Sequence, residues 1–141
     1  MAIALKRVYD PASPKDGVRV LVDRLWPRGL RKEEAKVDFW LRDIAPSNEL
    51  RQWYHANPEE WTTFRNHYLK ELSGKKQTAA LEKLQSLPAT NRKVTLLYAS
   101  RNEDRNNATV LKELLEGARK PPSSVGRGAA GRERIRKSRR Q

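Results

Sequence analysis

The run Leu21–Gly29, LVDRLWPRG, places one carboxylate, two guanidiniums and one indole close together: Asp23, Arg24, Trp26 and Arg28. Guanidiniums at that density suit an anion, because each presents planar, permanently charged donors that match carboxylate or phosphate oxygens two at a time. Asp23 can orient the arginines or act as a base. Pro27 has no backbone donor and Gly29 takes positive φ without steric cost, so Arg28 falls in a tight turn. The same residues also fit a structural ion pair between Asp23 and Arg24 or Arg28, with Trp26 as a core plug.

A second group of candidates follows the apolar run KVTLLYA, which ends at Tyr98 and Ala99. Arg101, Arg105 and Asn106 lie ahead of a helical pattern, and a helix N-terminus turns free N–H groups and a positive dipole towards whatever precedes it. Residues 100–107 contain no glycine, so the loop is neither a Walker loop nor a dinucleotide fingerprint. An ordinary capped loop fits Arg105 as well. Ser47, Tyr98 and Asn106 can supply hydrogen bonds to a ligand.

His55 and His67 stand apart, with no HExxH pattern and no cysteine, so zinc is not expected. His67 reads as a helix-surface residue. His55 closes a predicted helix, where the dipole can hold it protonated or where it can serve as general acid or base. Arg51 sits near Trp53, as Arg24 and Arg28 sit near Trp26 and Arg42 near Trp40. Such pairs can stack a base between aromatic and guanidinium planes, or pack at the edge of a core. The candidate catalytic residues are therefore Asp23, His55 and Tyr98, and the candidate ligand-binding residues are Arg24, Trp26, Arg28, Ser47, Arg51, Arg101 and Asn106. No metal or cofactor is expected.

These residues need a scaffold, and the hydrophobic periodicity supplies one. Ile3–Tyr9, Val18–Val22 and Lys93–Ala99 read as strands, rich in β-branched and aromatic residues. Val37–Ile44 reads as a further strand, although Val37, Trp40, Leu41 and Ile44 also fit a helical stripe. Leu30–Lys36 makes a short helix, and Ser47 caps another that runs to Ala56. Asn57, Pro58, Glu59 and Glu60 carry the clearest helix-start signal, with Gly74 as the stop. Helices at Lys76–Leu87, ended by Pro88, and at Asn107–Ala118, capped by Asn106 or Asn107, complete the pattern. The expected fold is a single α/β domain over residues 1–120, with a small, mainly parallel sheet flanked by helices. In such sheets ligands bind at the carboxyl ends of the strands.

At 141 residues the chain can bury a core without staples. It has no cysteine, which excludes disulfides and thiolate chemistry and fits a reducing cytoplasm. Neither a signal peptide nor a transmembrane stretch is expected, so the membrane is not a predicted partner. The net charge is +13, and residues 119–141 carry nine basic residues against the single Glu133. That segment, after Pro121 and Pro122, has no apolar periodicity and reads as a disordered basic tail over residues 121–141. Its charge offers nucleic acid as a possible partner through counterion release, or merely aids solubility.

With these residues in view, the chain resembles the YeaO-like family of small bacterial proteins from Met1 to about Ala118. The resemblance rests on KRVYDP at Lys6–Pro11, LVDRLWPRG at Leu21–Gly29 and PS-x-ELR at Pro46–Arg51. It extends to His55 and to TLLY at Thr95–Tyr98 followed by Asn106, Ala108 and Leu111. It implies an α/β domain with a site near Asp23, Arg24 and Arg28. It supplies no substrate. The family has a histidine where this chain has Asn107, and the wider superfamily a cysteine where Tyr98 stands, so neither imidazole nor thiol chemistry carries over to those positions. The basic extension after Lys120 lies outside the pattern. The functional expectation is a cytoplasmic enzyme or binding domain for a small anionic ligand, phosphate-bearing or nucleotide-like, at the Asp23–Arg28 loop. A nucleic-acid-associated protein and a structural protein without catalysis are the alternatives.

Overall fold

The structure, a computed structural model, describes residues 2–119. The expected tail at residues 121–141 lies outside the described residues. Four strands, β1 (Ala2–Arg7), β2 (Val18–Leu21), β3 (Phe39–Trp40) and β4 (Lys93–Tyr98), form one sheet in the order β1-β4-β2-β3. All pairings are parallel, with Ile3 opposite Val94, Val20 opposite Leu96 and Val20 opposite Phe39. Five helices complete the chain: α1 (Lys32–Ala35), α2 (Asn48–Ala56), α3 (Trp61–Glu71), α4 (Lys75–Thr90) and α5 (Asn107–Arg119). The α/β architecture expected from the sequence is the one found.

Both faces of the sheet are covered, as a parallel sheet requires. Side chains alternate, so Val94, Leu96 and Tyr98 join Ile3, Val20 and Val22 in the larger core with Phe64, Tyr68, Leu84, Leu111 and Leu115. Leu97, Leu21 and Val8 pack on the other face with Ala35 and the indoles of Trp26 and Trp40. Arg19 is buried on that second face at 4% exposure, donating to the carbonyls of Ala35 and Lys36 and to Asp16. Those bonds help fix the end of α1, where Lys36 adopts the left-handed conformation with φ 48°. Among the described residues no helix is long and apolar enough to cross a membrane.

Three local expectations differ from the structure. Only Phe39–Trp40 of the expected Val37–Ile44 strand pairs, because β2 ends at Leu21 and offers nothing beyond the Leu41 N–H to Leu21 carbonyl bond. Residues Arg42–Ile44 instead form a 3-10 turn that buries Ile44. Asn57 does not start α3: its N–H and side-chain amide both close α2 on the Trp53 carbonyl, and α3 begins at Trp61. Pro88 lies inside the last turn of α4 rather than after it. Pro88 removes the N–H that would reach the Leu84 carbonyl, and α4 ends two residues later at Thr90.

Because every strand is parallel, the segments after β1, β2, β3 and β4 all leave the same edge. The candidate residues that follow β2 and β4 are brought there by topology alone.

Candidate functional site

Asp23 is the hub of that edge. Its main-chain carbonyl accepts from Trp40 Nε1 at 2.7 Å, its Oδ2 from the Ala99 N–H at 2.8 Å and its Oδ1 from Asn107 Nδ2 at 3.0 Å. Asn107 Nδ2 also donates to the Val22 carbonyl at 2.8 Å. One carboxylate thus ties the end of β2 to the loop after β4 and to the first residue of α5. Burial pushes the Asp23 carboxyl above the ordinary aspartate value, although the Ala99 N–H, the Asn107 amide and the nearby Arg51 charge pull the other way.

Arg24 turns to the backbone before α2. Its Nε donates to the Pro46 carbonyl at 3.1 Å and its Nη2 to the Ala45 carbonyl at 3.2 Å. Beside it, Tyr68 donates to the Ile44 carbonyl at 2.6 Å. Ser47 gives its N–H and its hydroxyl to the Glu71 carboxylate at 2.8 and 2.6 Å, while its Oγ accepts from the Leu50 N–H and caps α2. Residues 44–47 are therefore held at four successive positions, and with them the start of the helix that carries Arg51. Trp26 donates to the Leu30 carbonyl at 2.6 Å and meets Trp40 edge-on at 5.4 Å between ring centroids.

The loop after β4 is equally built. Asn106, only 3% exposed, donates to the Asn102 carbonyl at 2.7 Å and accepts from the Thr109 N–H at 3.1 Å, which caps α5. The Asn102 side chain accepts from the N–H groups of Asp104 and Arg105. Arg7 holds the loop from the other side, donating to the Ser100 and Ala99 carbonyls at 3.1 Å each. Tyr54 of α2 donates to the Arg105 carbonyl at 3.1 Å and closes the gap between α2 and the loop.

Tyr98 is 2% exposed. Its hydroxyl has no hydrogen-bond partner among the described residues. Burial raises its pKa, Glu103 and Asp10 act in the same direction, and Arg7 opposes them. Its hydroxyl thus lies among other charges than those around Asp23, even though the next residue, Ala99, bonds to the Asp23 carboxylate. Arg28, Arg51, His55, Arg101 and Arg105 are exposed. None of these five side chains has a hydrogen bond or ion pair among the described residues.

The structure adds four residues that sequence reasoning did not single out: Arg7, Tyr9, Tyr54 and Asn107. Tyr9 donates to the Arg28 carbonyl at 2.9 Å and holds the WPRG turn against the end of β1. Arg7 and Tyr9 belong to the KRVYDP run, whose recurrence with LVDRLWPRG was the available signal. Asn107 had its signal in the departure from the family histidine. The amide can donate twice through one nitrogen, to Val22 and Asp23, where a neutral imidazole has a single N–H. Among the described residues no group of three His, Asp or Glu is arranged to hold a metal ion.

Residues 2–127 match the family model described as the inactive DUF488-N3 subclade. An uncharacterised protein of Mycobacterium tuberculosis is 45% identical over 115 residues, which cover 82% of this chain and 94% of that protein. The uncharacterised protein YeaO of Escherichia coli is 44% identical over 115 residues, 82% of this chain and 97% of its own. No solved structure matches. With the family model spanning most of the chain and relatives of this identity over nearly their full lengths, the chain belongs to the inactive DUF488-N3 subclade and is YeaO-like.

Proposed function

We propose that this chain is a binding domain for a small anionic ligand at the carboxyl edge of its sheet. The observation that carries the reading is that Arg28, Arg51, Arg101 and Arg105 are exposed and have no ion-pair partner among the described residues, while the Asp23 carboxylate is already committed to internal bonds. The guanidiniums of Arg101 and Arg105, in the loop ahead of helix α5, favour an incoming anion. Arg28, Arg51 and Arg101 hold its oxygens. Asp23, Arg24, Ser47 and Asn106 keep the two walls in place, and Trp26 supports the turn from beneath. The description of the subclade as inactive supports binding without turnover over the enzymatic alternative, in which Asp23, His55 or Tyr98 moves a proton.

The test is a thermal-shift series on the full chain against inorganic phosphate, sugar phosphates, nucleotides and di- and tricarboxylates. A ligand that binds the folded state raises its stability by roughly 2.7 kcal/mol at a hundred times the dissociation constant. Arg51→Ala and Arg101→Ala should each reduce that shift. No shift with any of these anions, together with salt-sensitive binding of RNA by the full chain, would favour the basic segment after Arg119 as the working part.

A further inference from the structure

An exposed aromatic ring on the same edge bears on what else the ligand carries. Tyr9 is one of few large apolar side chains left open, at 41% exposure. The ring is nonetheless fixed. Its hydroxyl is tied to the Arg28 carbonyl at 2.9 Å, and the Arg7 guanidinium lies over one face at 5.3 Å from the centroid. Arg7 is itself held by the Ala99 and Ser100 carbonyls. No other ring contacts Tyr9 among the described residues. A rigid aromatic face, with a cation over it, loses little entropy when a flat group stacks on it.

The geometry points to Tyr9 as a base-stacking platform, so that the anion held by Arg28 and Arg101 is the phosphate of a nucleotide. This rests on the anion-binding reading above and adds the second half of the ligand. Trp26, the more obvious aromatic in the sequence, is committed elsewhere: its N–H is held by the Leu30 carbonyl and its ring packs against Trp40 on the second core. Arg28, Arg51 and Arg101 suit the phosphate, whereas Asp10, next to Tyr9 in sequence, and Glu103, which with Asp10 acts on Tyr98, suit the N–H groups of a neutral base. A free nucleotide and the end of a single strand present the same chemistry to this site.

The experiment compares AMP, ribose 5-phosphate and adenosine on the full chain by titration calorimetry, with a four-nucleotide adenine strand as a further arm. AMP should bind about tenfold or more tightly than ribose 5-phosphate, the size of one base–aromatic stack. Both Tyr9→Ala and Tyr9→Phe lose the hydroxyl bond to the Arg28 carbonyl, so the two variants should bind ribose 5-phosphate equally, whereas the AMP advantage should vanish in Tyr9→Ala and persist in Tyr9→Phe, which keeps the ring. In proton NMR the adenine H2 and H8 signals should move upfield with the wild type and not with Tyr9→Ala. A strand that binds more tightly than AMP, with the same Tyr9 dependence, identifies the source as nucleic acid; AMP alone identifies a free nucleotide. Equal binding of AMP and ribose 5-phosphate, indifferent to Tyr9, would overturn the stacking inference and leave the anion site standing. Failure of all phosphates to bind would overturn both.

Discussion

Asn107 and Asp23 lie 84 positions apart and meet at 3.0 Å, with the same Asn107 amide nitrogen reaching the Val22 carbonyl. This contact joins the first residue of α5 to the end of β2, beside the bond from the Ala99 N–H to the same carboxylate. Asn107→Ala leaves both acceptors without that donor and should cost about 1–3 kcal/mol in denaturant unfolding. Asn107→His should lose less, since its N–H can satisfy one of the two. A histidine variant as unstable as the alanine variant would show that the amide pair is not what holds the joint.

Arg24 and Arg28 are neighbours in sequence and opposites in environment. Arg24→Ala strips donors from the Ala45 and Pro46 carbonyls and should lower stability by about 1–3 kcal/mol. Arg24→Lys should not restore it, because an ammonium lacks the planar fork that reaches both carbonyls. Arg28→Ala should change stability by less than about 0.5 kcal/mol while weakening the anion-induced thermal shift. Equal stability losses at the two positions would contradict the assignment of Arg24 to the frame and Arg28 to the ligand.

The two positive-φ glycines separate space from strain. Gly17, at φ 66°, faces the Lys93 carbonyl, which a Cβ would approach to 2.3 Å, whereas Gly29, at φ 78°, has nothing within 4 Å of that position. Gly29→Ala should therefore cost only the backbone term, about 1–2 kcal/mol. Gly17→Ala carries that term plus displacement of β4 and should cost more, by roughly 2 kcal/mol. Similar unfolding midpoints for the two variants would remove the steric argument at Gly17.

The sequence made the scaffold legible where a pattern was local. β-branched runs marked β1, β2 and β4, and Ser47 declared its cap. It misplaced what depended on a distant partner: residues 37–44 could not reveal that β2 would stop at Leu21, and Asn57 looked free to open α3 although it closes α2. The site shows the same division. The Asp23–Arg28 run announced charge and a turn, but no local feature told Arg24 from Arg28, because the difference lies in two carbonyls 21 and 22 residues away. Tyr9 and Arg7 stood in the KRVYDP run, but only the parallel register of β1 beside β4 gave them partners.

Asp16 and Asp23 should titrate on opposite sides of the ordinary aspartate value. Burial raises Asp16, yet the Ser13 N–H, Lys6 and Arg19 outweigh it and hold the carboxyl low. Burial wins at Asp23 and holds it high. The signs of the linked stabilities follow. Asp16 binds its proton less readily folded than unfolded, so its contribution is present above the unfolded value and is lost as pH falls through the depressed folded value. Asp23 binds its proton more readily folded, so its contribution is full below the unfolded value and is lost as pH rises through the elevated folded one. Carbon-detected NMR titration of the two carboxyls should give midpoints in the order Asp16 below Asp23. Asp16→Asn should lose the acid-side loss of stability, and Asp23 should account for a decline just above the normal carboxylate range. An Asp23 midpoint below the ordinary value would mean that the bonds from Ala99 and Asn107 outweigh burial, and that the clamp between β2 and α5 tightens rather than loosens as the carboxyl ionises.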